Sequence, residues 1–392
     1  MKILHLLGHC SNWNVDAHYK NGIGEGFVFC AYSFPPEYFT QKKIHHYSTS
    51  EILSKSFIDL QYFGKKESGS IDRGKFSHYS FHPANNLNDD SITNVYLIDS
   101  IIRGINFQLE LGLTNIIIPN YYENDDINKL LVIIRQINKW VAQNKHEGIR
   151  YYMSIPLSNH TIIDNDKIEN ILISLTDIDI AFDGYYIVCE SKPENRRKLS
   201  VDYKYLRNLS RVFEVLKKQN FTTIYAYANW DAIIFLASTD IDYITIASFE
   251  NLRNFNIRRF TQNEDGGPSK GWYFSEKLLN VVRAQVIDLI RAQKGLEIIK
   301  NDKNIFSDAI LEPLFQWSNQ KPDVHKNYMV AVTRLLQNIS SISDLENRKN
   351  YVLSIIESAI ANYEALEDKK VFLEDENKNY HLRTWQSHLR TK

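Results

Sequence analysis

The chain has 392 residues, 43% of them hydrophobic, which is enough for one large barrel domain with extra elements or for two ordinary domains. The formal net charge of −1 excludes a strong overall field that would steer the protein to nucleic acid or to a membrane surface. The cysteines Cys10, Cys30 and Cys189 lie far apart, which argues against a disulfide framework or a structural zinc site and favours a reducing compartment.

The N-terminal segment predicts short strands separated by polar loops. The apolar start, MKILHLLGHC, is too short for a signal peptide, and no run approaches 18 apolar residues, so we expect a cytoplasmic protein without a membrane contact. Residues 3–7 are compatible with a strand, but the first two strands of our prediction are 27–33 and 57–63. Residues 76–83 follow as an extended excursion.

Between residues 93 and 250, amphipathic helices alternate with short apolar runs. Apolar side chains recur at three- and four-residue steps over 93–111, and Gly112 suits the end of that helix. Further helices are predicted at about 126–144, 166–176, 202–219 and 230–237, and further strands at 115–119, 151–156, 185–190, 223–228 and 243–249. Such alternation favours parallel pairing, because parallel neighbours need a crossover connection.

The pattern changes after residue 250. An irregular stretch leads to an eighth predicted strand at 271–275 and then to a helix that ends near residue 300. Eight strands predict a (β/α)8 TIM-barrel-like fold over residues 1–300. Residues 301–392 are predicted to be a C-terminal helical region packed on the barrel, which could also bind a protein partner.

Two glutamates are the predicted catalytic residues. Glu190 and Glu250 each end an apolar run, which we place as strands five and seven of the barrel. Strand ends meet at the active-site mouth of such barrels. A pair of carboxylates can serve there as acid and base, or as nucleophile and acid, in cleavage of a glycosidic or N-glycosidic bond. The alternative is that either glutamate caps a helix or pairs with an arginine.

A basic segment follows the second of these glutamates. Arg253, Arg258 and Arg259 precede the glycine-rich sequence GGPSKG at 266–271. Guanidinium groups match phosphate oxygens, and glycines let backbone N–H groups approach an anion. We therefore predict a phosphate-binding site, although in our strand assignment the glycines come before strand eight rather than after it. An exposed basic loop is the alternative.

Three more residues are predicted to orient the substrate. Asn229 ends a strand, Tyr227 lies two residues earlier on the same side, and His82 comes before a proline in the excursion. Asp59 lies inside the second predicted strand, and we expect it to be a polar residue of the barrel interior. The sequence lacks GxSxG, Walker A, kinase and CxxC motifs, so we predict neither a metal nor a cofactor.

Two hypotheses follow from these patterns. The first is an enzyme whose substrate, a nucleotide, sugar phosphate or nucleic-acid end, carries a phosphate and a sugar. The second is a non-catalytic barrel that binds nucleic acid or a partner protein in an assembly. The second rests on basic blocks at 190–218 and 253–300, on the acidic block at 344–376 and on the lack of a specific catalytic motif.

Overall fold

The protein is an α/β barrel with helices at its C-terminal end, seen in a computed structural model that describes residues 1–63, 74–85, 94–122, 127–193, 197–261 and 271–392. The barrel strands are β1 (Lys2–Leu7), β2 (Gly26–Cys30), β3 (Ser56–Asp59), β4 (Asn115–Ile118), β5 (Arg150–Leu157), β6 (Gly184–Cys189), β7 (Thr222–Tyr225) and β8 (Tyr243–Ile246). Their order is β3-β2-β1-β8-β7-β6-β5-β4, with every neighbouring pair parallel. The predicted TIM-barrel-like fold is confirmed.

The predicted eighth strand was wrong. Trp272–Ser275 is not in the barrel but pairs antiparallel with Asn280–Arg283 in a hairpin. The missing barrel strand is β1, which lies between β2 and β8. An apolar run shows that a strand is buried but not which strand it pairs with. As a result, Glu190 follows β6 rather than a fifth strand, and Glu250 follows β8 rather than a seventh.

Helices surround the barrel and continue beyond it. They are α1 (Asn12–Asn21), α2 (Thr49–Leu53), α3 (Asn94–Glu110), α4 (Ile127–Asn144), α5 (Asn159–Ile162), α6 (Asn165–Leu175), α7 (Tyr203–Lys218), α8 (Ala232–Leu236), α9 (Arg258–Thr261), α10 (Ala284–Ala292), α11 (Leu296–Ile299), α12 (Ile305–Ile310), α13 (Pro322–Ser340), α14 (Leu345–Asp368) and α15 (Leu382–Arg390). The predicted excursion forms two short 3-10 turns, Phe76–His78 and Pro83–Asn85, rather than an extended piece. No helix in the described ranges is long and apolar enough to cross a bilayer.

Helix α7 illustrates how the sequence produces these elements. Its N-terminus is capped by Asp202, whose carboxylate accepts hydrogen bonds from the N–H groups of Lys204 and Tyr205. Its buried residues recur at helical spacing and include Leu206, Leu209, Val212, Phe213 and Leu216. Burial of one such apolar stripe against the sheet stabilises the helix more than its intrinsic propensity does.

The barrel has one seam without a backbone ladder, between β3 and β4. The edge of β4 is instead bonded by Gln108 of α3, whose side-chain amide donates to Ile117 O at 2.8 Å and accepts from Ile117 N at 3.2 Å. The amide thus replaces a strand neighbour, which a buried edge requires. Gly104 lets α3 lie close to the seam, because a Cβ there would come within 2.8 Å of Leu60 Cδ1.

The C-terminal helices pack directly on the barrel mouth. Tyr328 of α13 donates to Asn229 Oδ1 at 3.2 Å, and His325 of the same helix contacts Ser248 O through Nδ1 at 2.6 Å. Both acceptors lie in segments that follow barrel strands, β7 and β8 respectively. The helical region therefore contributes to the walls of the mouth.

Candidate functional site

A cavity of about 530 Å³ lies at the mouth, among the segments that follow β6, β7 and β8. It is lined by Arg197, Lys198, Asn229, Trp230, Glu250, Asn251, Arg253, Asn254, Asn256, Arg259 and Val281. Four of these side chains are cationic and one is a carboxylate. Loops after the seventh and eighth strands are where TIM barrels commonly bind phosphate. With β1 correctly placed, the basic segment follows β8 and matches that arrangement.

Arg253 is held rigidly in the cavity wall. Only 6% of the residue is exposed, Nε donates to Ala247 O at 2.9 Å, and Nη2 donates to Ser248 O. Its guanidinium carbon lies 3.3 Å from the centroid of the Tyr328 ring. Burial lowers the pKa of Arg253, but a guanidinium starts so high that it stays protonated at neutral pH. The wall therefore carries a fixed positive charge.

Glu250 faces the same cavity and is paired with a lysine. Its Oε2 lies 2.7 Å from Lys198 Nζ, and the glutamate side chain is 39% exposed. Lys198 Nζ also lies 4.6 Å from the centroid of the Trp272 ring. Asn229 is close by, because its Nδ2 donates to Lys198 O at 3.5 Å. The structure thus brings together the predicted site residues Glu250, Arg253 and Asn229.

The two consecutive arginines of α9 have different surroundings. Arg259 is buried, lines the cavity and donates through Nη1 to Asn251 O at 3.2 Å. Arg258 is exposed and is not among the lining residues, as expected for adjacent positions on a helix. Of the predicted glycine-rich loop, residues 266–270 lie outside the described residues.

Glu190 is buried beside the cavity rather than in its lining. Its Oε2 accepts a hydrogen bond from Tyr122 Oη at 3.1 Å and lies 3.4 Å from Asn159 N. The backbone of Glu190 forms a parallel bridge with Phe255, in the segment after β8. The two predicted catalytic glutamates therefore occupy different environments, one bonded by a phenol and one ion-paired.

A buried carboxylate cluster lies at the end of β3. Asp59 is 1% exposed, and its Oδ2 accepts from Tyr227 Oη at 3.0 Å and from Tyr186 Oη at 3.1 Å. Its Oδ1 accepts from Gln61 N at 3.0 Å. Burial raises the pKa of Asp59 to about 6, an effect that the hydrogen bonds and the charge of Arg259 partly oppose. Asp59 can therefore exchange a proton near neutral pH.

Backbone strain coincides with this cluster. Gln61 and Tyr227 both have a positive φ, 55° and 51°, and Gln61 Nε2 donates to Tyr227 Oη at 2.5 Å. Non-glycine residues in this region are uncommon and concentrate at functional sites. The sequence signal was a charged residue inside an apolar strand, which we assigned to the barrel interior. Nothing in the sequence indicated the strain, or that Tyr227 would donate to Asp59.

His82 lies away from the cavity lining and is fully buried. Its Nε2 is 2.7 Å from Leu60 O, and its Nδ1 accepts from Ala84 N at 3.1 Å. The ring stacks on Phe76 with centroids 4.3 Å apart, and burial lowers the pKa of His82 to about 3. Both ring nitrogens are thus used within the protein. That His82 contacts the substrate stays a prediction.

Phe255 joins the two buried carboxylate sites. Its ring centroid lies 5.7 Å from that of Tyr122, which bonds Glu190, and 5.5 Å from that of Tyr227, which bonds Asp59. The Phe255 ring therefore packs between the two carboxylate sites. In the described ranges, no group of three or more His, Cys, Asp or Glu side chains could hold a metal ion.

Comparison with known proteins indicates no activity for this chain. No protein-family model matches the sequence, and no curated protein matches it. Among solved structures, the chain is similar to dihydrodipicolinate synthase from Oceanobacillus iheyensis. The sequence identity is 11% and the TM-score 0.32, over 100% of this chain and 97% of that one. A likeness this distant carries no information about the reaction.

Proposed function

We propose that the protein is a barrel enzyme whose substrate carries a phosphate or a comparable anionic group, bound in the cavity after β6, β7 and β8. The supporting observation is the excess of four cationic side chains over one carboxylate in the cavity lining. Guanidinium and ammonium groups that line a cavity favour an anionic ligand there. The indole N–H of Trp230, another lining residue, is buried and has no acceptor among the described residues.

The proposed chemistry is acid–base catalysis at a glycosidic or N-glycosidic bond of a nucleotide or sugar phosphate. Glu250 is the carboxylate accessible in the cavity, and Glu190 and Asp59 are the carboxylates at the mouth. A general base must be ionised at neutral pH and have a pKa close to it, which fits the pKa of about 6 that burial gives Asp59. Arg253 and Arg259 would hold the anion, and Asn229 would orient it.

Ligand binding tests this proposal through a pair of matched variants. Purified protein is titrated calorimetrically with inorganic phosphate, nucleoside phosphates and sugar phosphates, and its Tm is followed with each. We expect one class to raise the Tm, since a ligand of the native state stabilises it by mass action. Arg259→Gln should weaken that binding at least roughly tenfold, the equivalent of about 1.4 kcal/mol for a lost charge-assisted contact.

Arg258→Gln is the control, because it removes the same charge from an exposed neighbour outside the cavity lining. Equal weakening by both variants would mean that binding depends on surface charge rather than on the cavity. A Tm shift only with oligonucleotides, lost steeply with salt, would favour the non-catalytic nucleic-acid hypothesis instead. No shift with any phosphorylated compound would contradict the proposal.

A further inference from the structure

A second polar cluster lies on the β1 and β2 side of the mouth. Ser11 precedes α1 in the segment after β1, and its Oγ lies 2.8 Å from His45 Nε2. The hydroxyl of Tyr38 lies 3.3 Å from the same nitrogen. None of these three residues lines the cationic cavity. A serine hydroxyl bonded to an imidazole nitrogen is the arrangement that activates serine nucleophiles.

The backbone is strained on both sides of this contact. Cys10, directly before Ser11, has φ 55°. His45 and His46 connect the two strands of a second hairpin, Lys43–Ile44 and Tyr47–Ser48, and have φ 46° and 76°. The hairpin pairs Ile44 with Tyr47, so the two histidines form its entire loop. Two-residue loops of this kind favour Asn-Gly because both positions need positive φ. The fold therefore holds His45 against Ser11 in a conformation that its own sequence disfavours.

The electrostatic setting suits a general base. Burial lowers the pKa of His45, and the nearby charges act in opposite directions: Asp16 raises this pKa and His46 lowers it. A neutral imidazole can accept the serine proton at pH 7. Ser11 is 5% exposed, whereas His45 is half-buried, so solvent reaches the pair from the side of the imidazole.

We propose that Ser11 and His45 form a nucleophile–base pair that hydrolyses small activated esters. Ser11 Oγ attacks the ester carbonyl carbon while His45 Nε2 takes the serine proton. The bond to the leaving alkoxide then breaks, and His45 returns the proton to that oxygen. Water hydrolyses the acyl-serine by the same route, which releases the acid and regenerates Ser11.

The chain contains a natural comparison pair. Ser210 of α7 lies 3.3 Å from His388 Nε2 of α15, and both residues are fully buried. Burial should keep that serine from any reagent. A reaction at Ser11 but not at Ser210 would therefore reflect the site rather than serine–histidine contact alone.

The test is covalent labelling of the full chain with an alkyl fluorophosphonate, followed by peptide mass spectrometry. Ser11 Oγ would bond to phosphorus, fluoride would leave, and the proton would pass to His45. We expect the label on Ser11, with Ser210 unmodified. His45→Gln should slow labelling at least roughly 100-fold, the usual worth of a general base. His46→Gln, at the exposed neighbouring loop position, keeps the His45 imidazole in place, so it should slow labelling far less than His45→Gln does.

Three results would overturn the proposal. One is an unlabelled Ser11 in wild-type protein that melts cooperatively, a result that needs no variant to fold. Another is equal labelling of wild type and His45→Gln. The third is a label on Cys10 in place of Ser11, which would make the thiol the reactive group. The rate of p-nitrophenyl acetate hydrolysis gives a second readout. It should be lost in Ser11→Ala and kept in Ser210→Ala.

Discussion

Asp59, at the C-terminal end of the barrel, is bonded differently from two aspartates at the N-terminal end. At the N-terminal end, Asp242 precedes β8, lies 2.7 Å from Lys217 Nζ and accepts from Thr223 N at 2.8 Å. Asp183 precedes β6 and likewise combines Lys145 Nζ at 2.9 Å with Tyr151 N at 2.8 Å. Each of these aspartates joins a helix end or loop to a neighbouring strand. We expect these contacts to stabilise the fold.

At the C-terminal end, the carboxylate of Asp59 is bonded by tyrosine hydroxyls, whereas the carboxylates of Asp242 and Asp183 are paired with lysines. Its hydrogen bonds come from Tyr186, Tyr227 and Gln61, two of them with strained backbones. Natural proteins often accept instability at sites where function needs it. Under the proposed function, stability and function are separated along the strand axis, as is general for TIM barrels.

The largest effect on stability should come from Asp242→Ala. The variant loses a charge-assisted hydrogen bond to Thr223 N and the ion pair with Lys217. We expect the free energy of unfolding to fall by roughly 3 kcal/mol, measured by urea denaturation at pH 7. Asp242→Asn, which can keep the bond to the backbone, should lose less. Equal losses would mean that the charge alone matters at this end.

The next largest effect, of opposite sign, is expected from Asp59→Asn. The pKa of Asp59 is about 6 in the folded protein, against an ordinary value of 3.8 for the unfolded chain, so between these values the folded state binds more protons. Its stabilising contribution is therefore present below pH 4 and is lost as the pH rises to 6. At pH 7 the variant should be more stable than wild type by roughly 2–3 kcal/mol, the equivalent of two pKa units.

Guanidinium denaturation at pH 4 and pH 7.5 measures this difference. The stability difference between variant and wild type should be small at pH 4 and large at pH 7.5. Burial raises the pKa of Asp59, whereas the hydrogen bonds from Gln61, Tyr227 and Tyr186 and the charge of Arg259 lower it. If the variant is less stable at pH 7.5, Asp59 acts as the ionised partner of Arg259, and the contrast between the two barrel ends does not hold.

The smallest stability effect should come from Glu250→Gln. The ion pair with Lys198 is partly exposed, so its loss should change the free energy of unfolding by less than about 1 kcal/mol. The variant removes the carboxylate from a cationic cavity, so phosphate affinity measured by calorimetry should rise rather than fall. A fall in affinity would show that Glu250 positions Lys198 for the anion.

Much of the fold was predictable, because burial of parallel strands leaves a regular apolar pattern. The pattern failed at 271–275, since a hairpin strand and a barrel strand have the same local character. Leu279, just before the second hairpin strand, has φ 50°, and a leucine in the sequence does not indicate a turn with positive φ. The cationic character of the cavity was predictable, because the arginines Arg253 and Arg259 follow an apolar strand in the sequence. Asp59 and Ser11 depend on contacts with Tyr227 and His45, which lie 168 and 34 residues away.

The seam between β3 and β4 determines how the barrel can deform. Elsewhere in the described barrel, widening the ring would break backbone ladders. Here side-chain hydrogen bonds join α3 to the two sides of the gap, from Gln108 to β4 and from Tyr62, just after β3, to Ser100 O. The circumference can therefore grow at this point without the loss of a strand–strand hydrogen bond. Asp59 lies at the end of β3, beside this gap. Widening of the barrel at the gap would therefore increase the solvent exposure of Asp59.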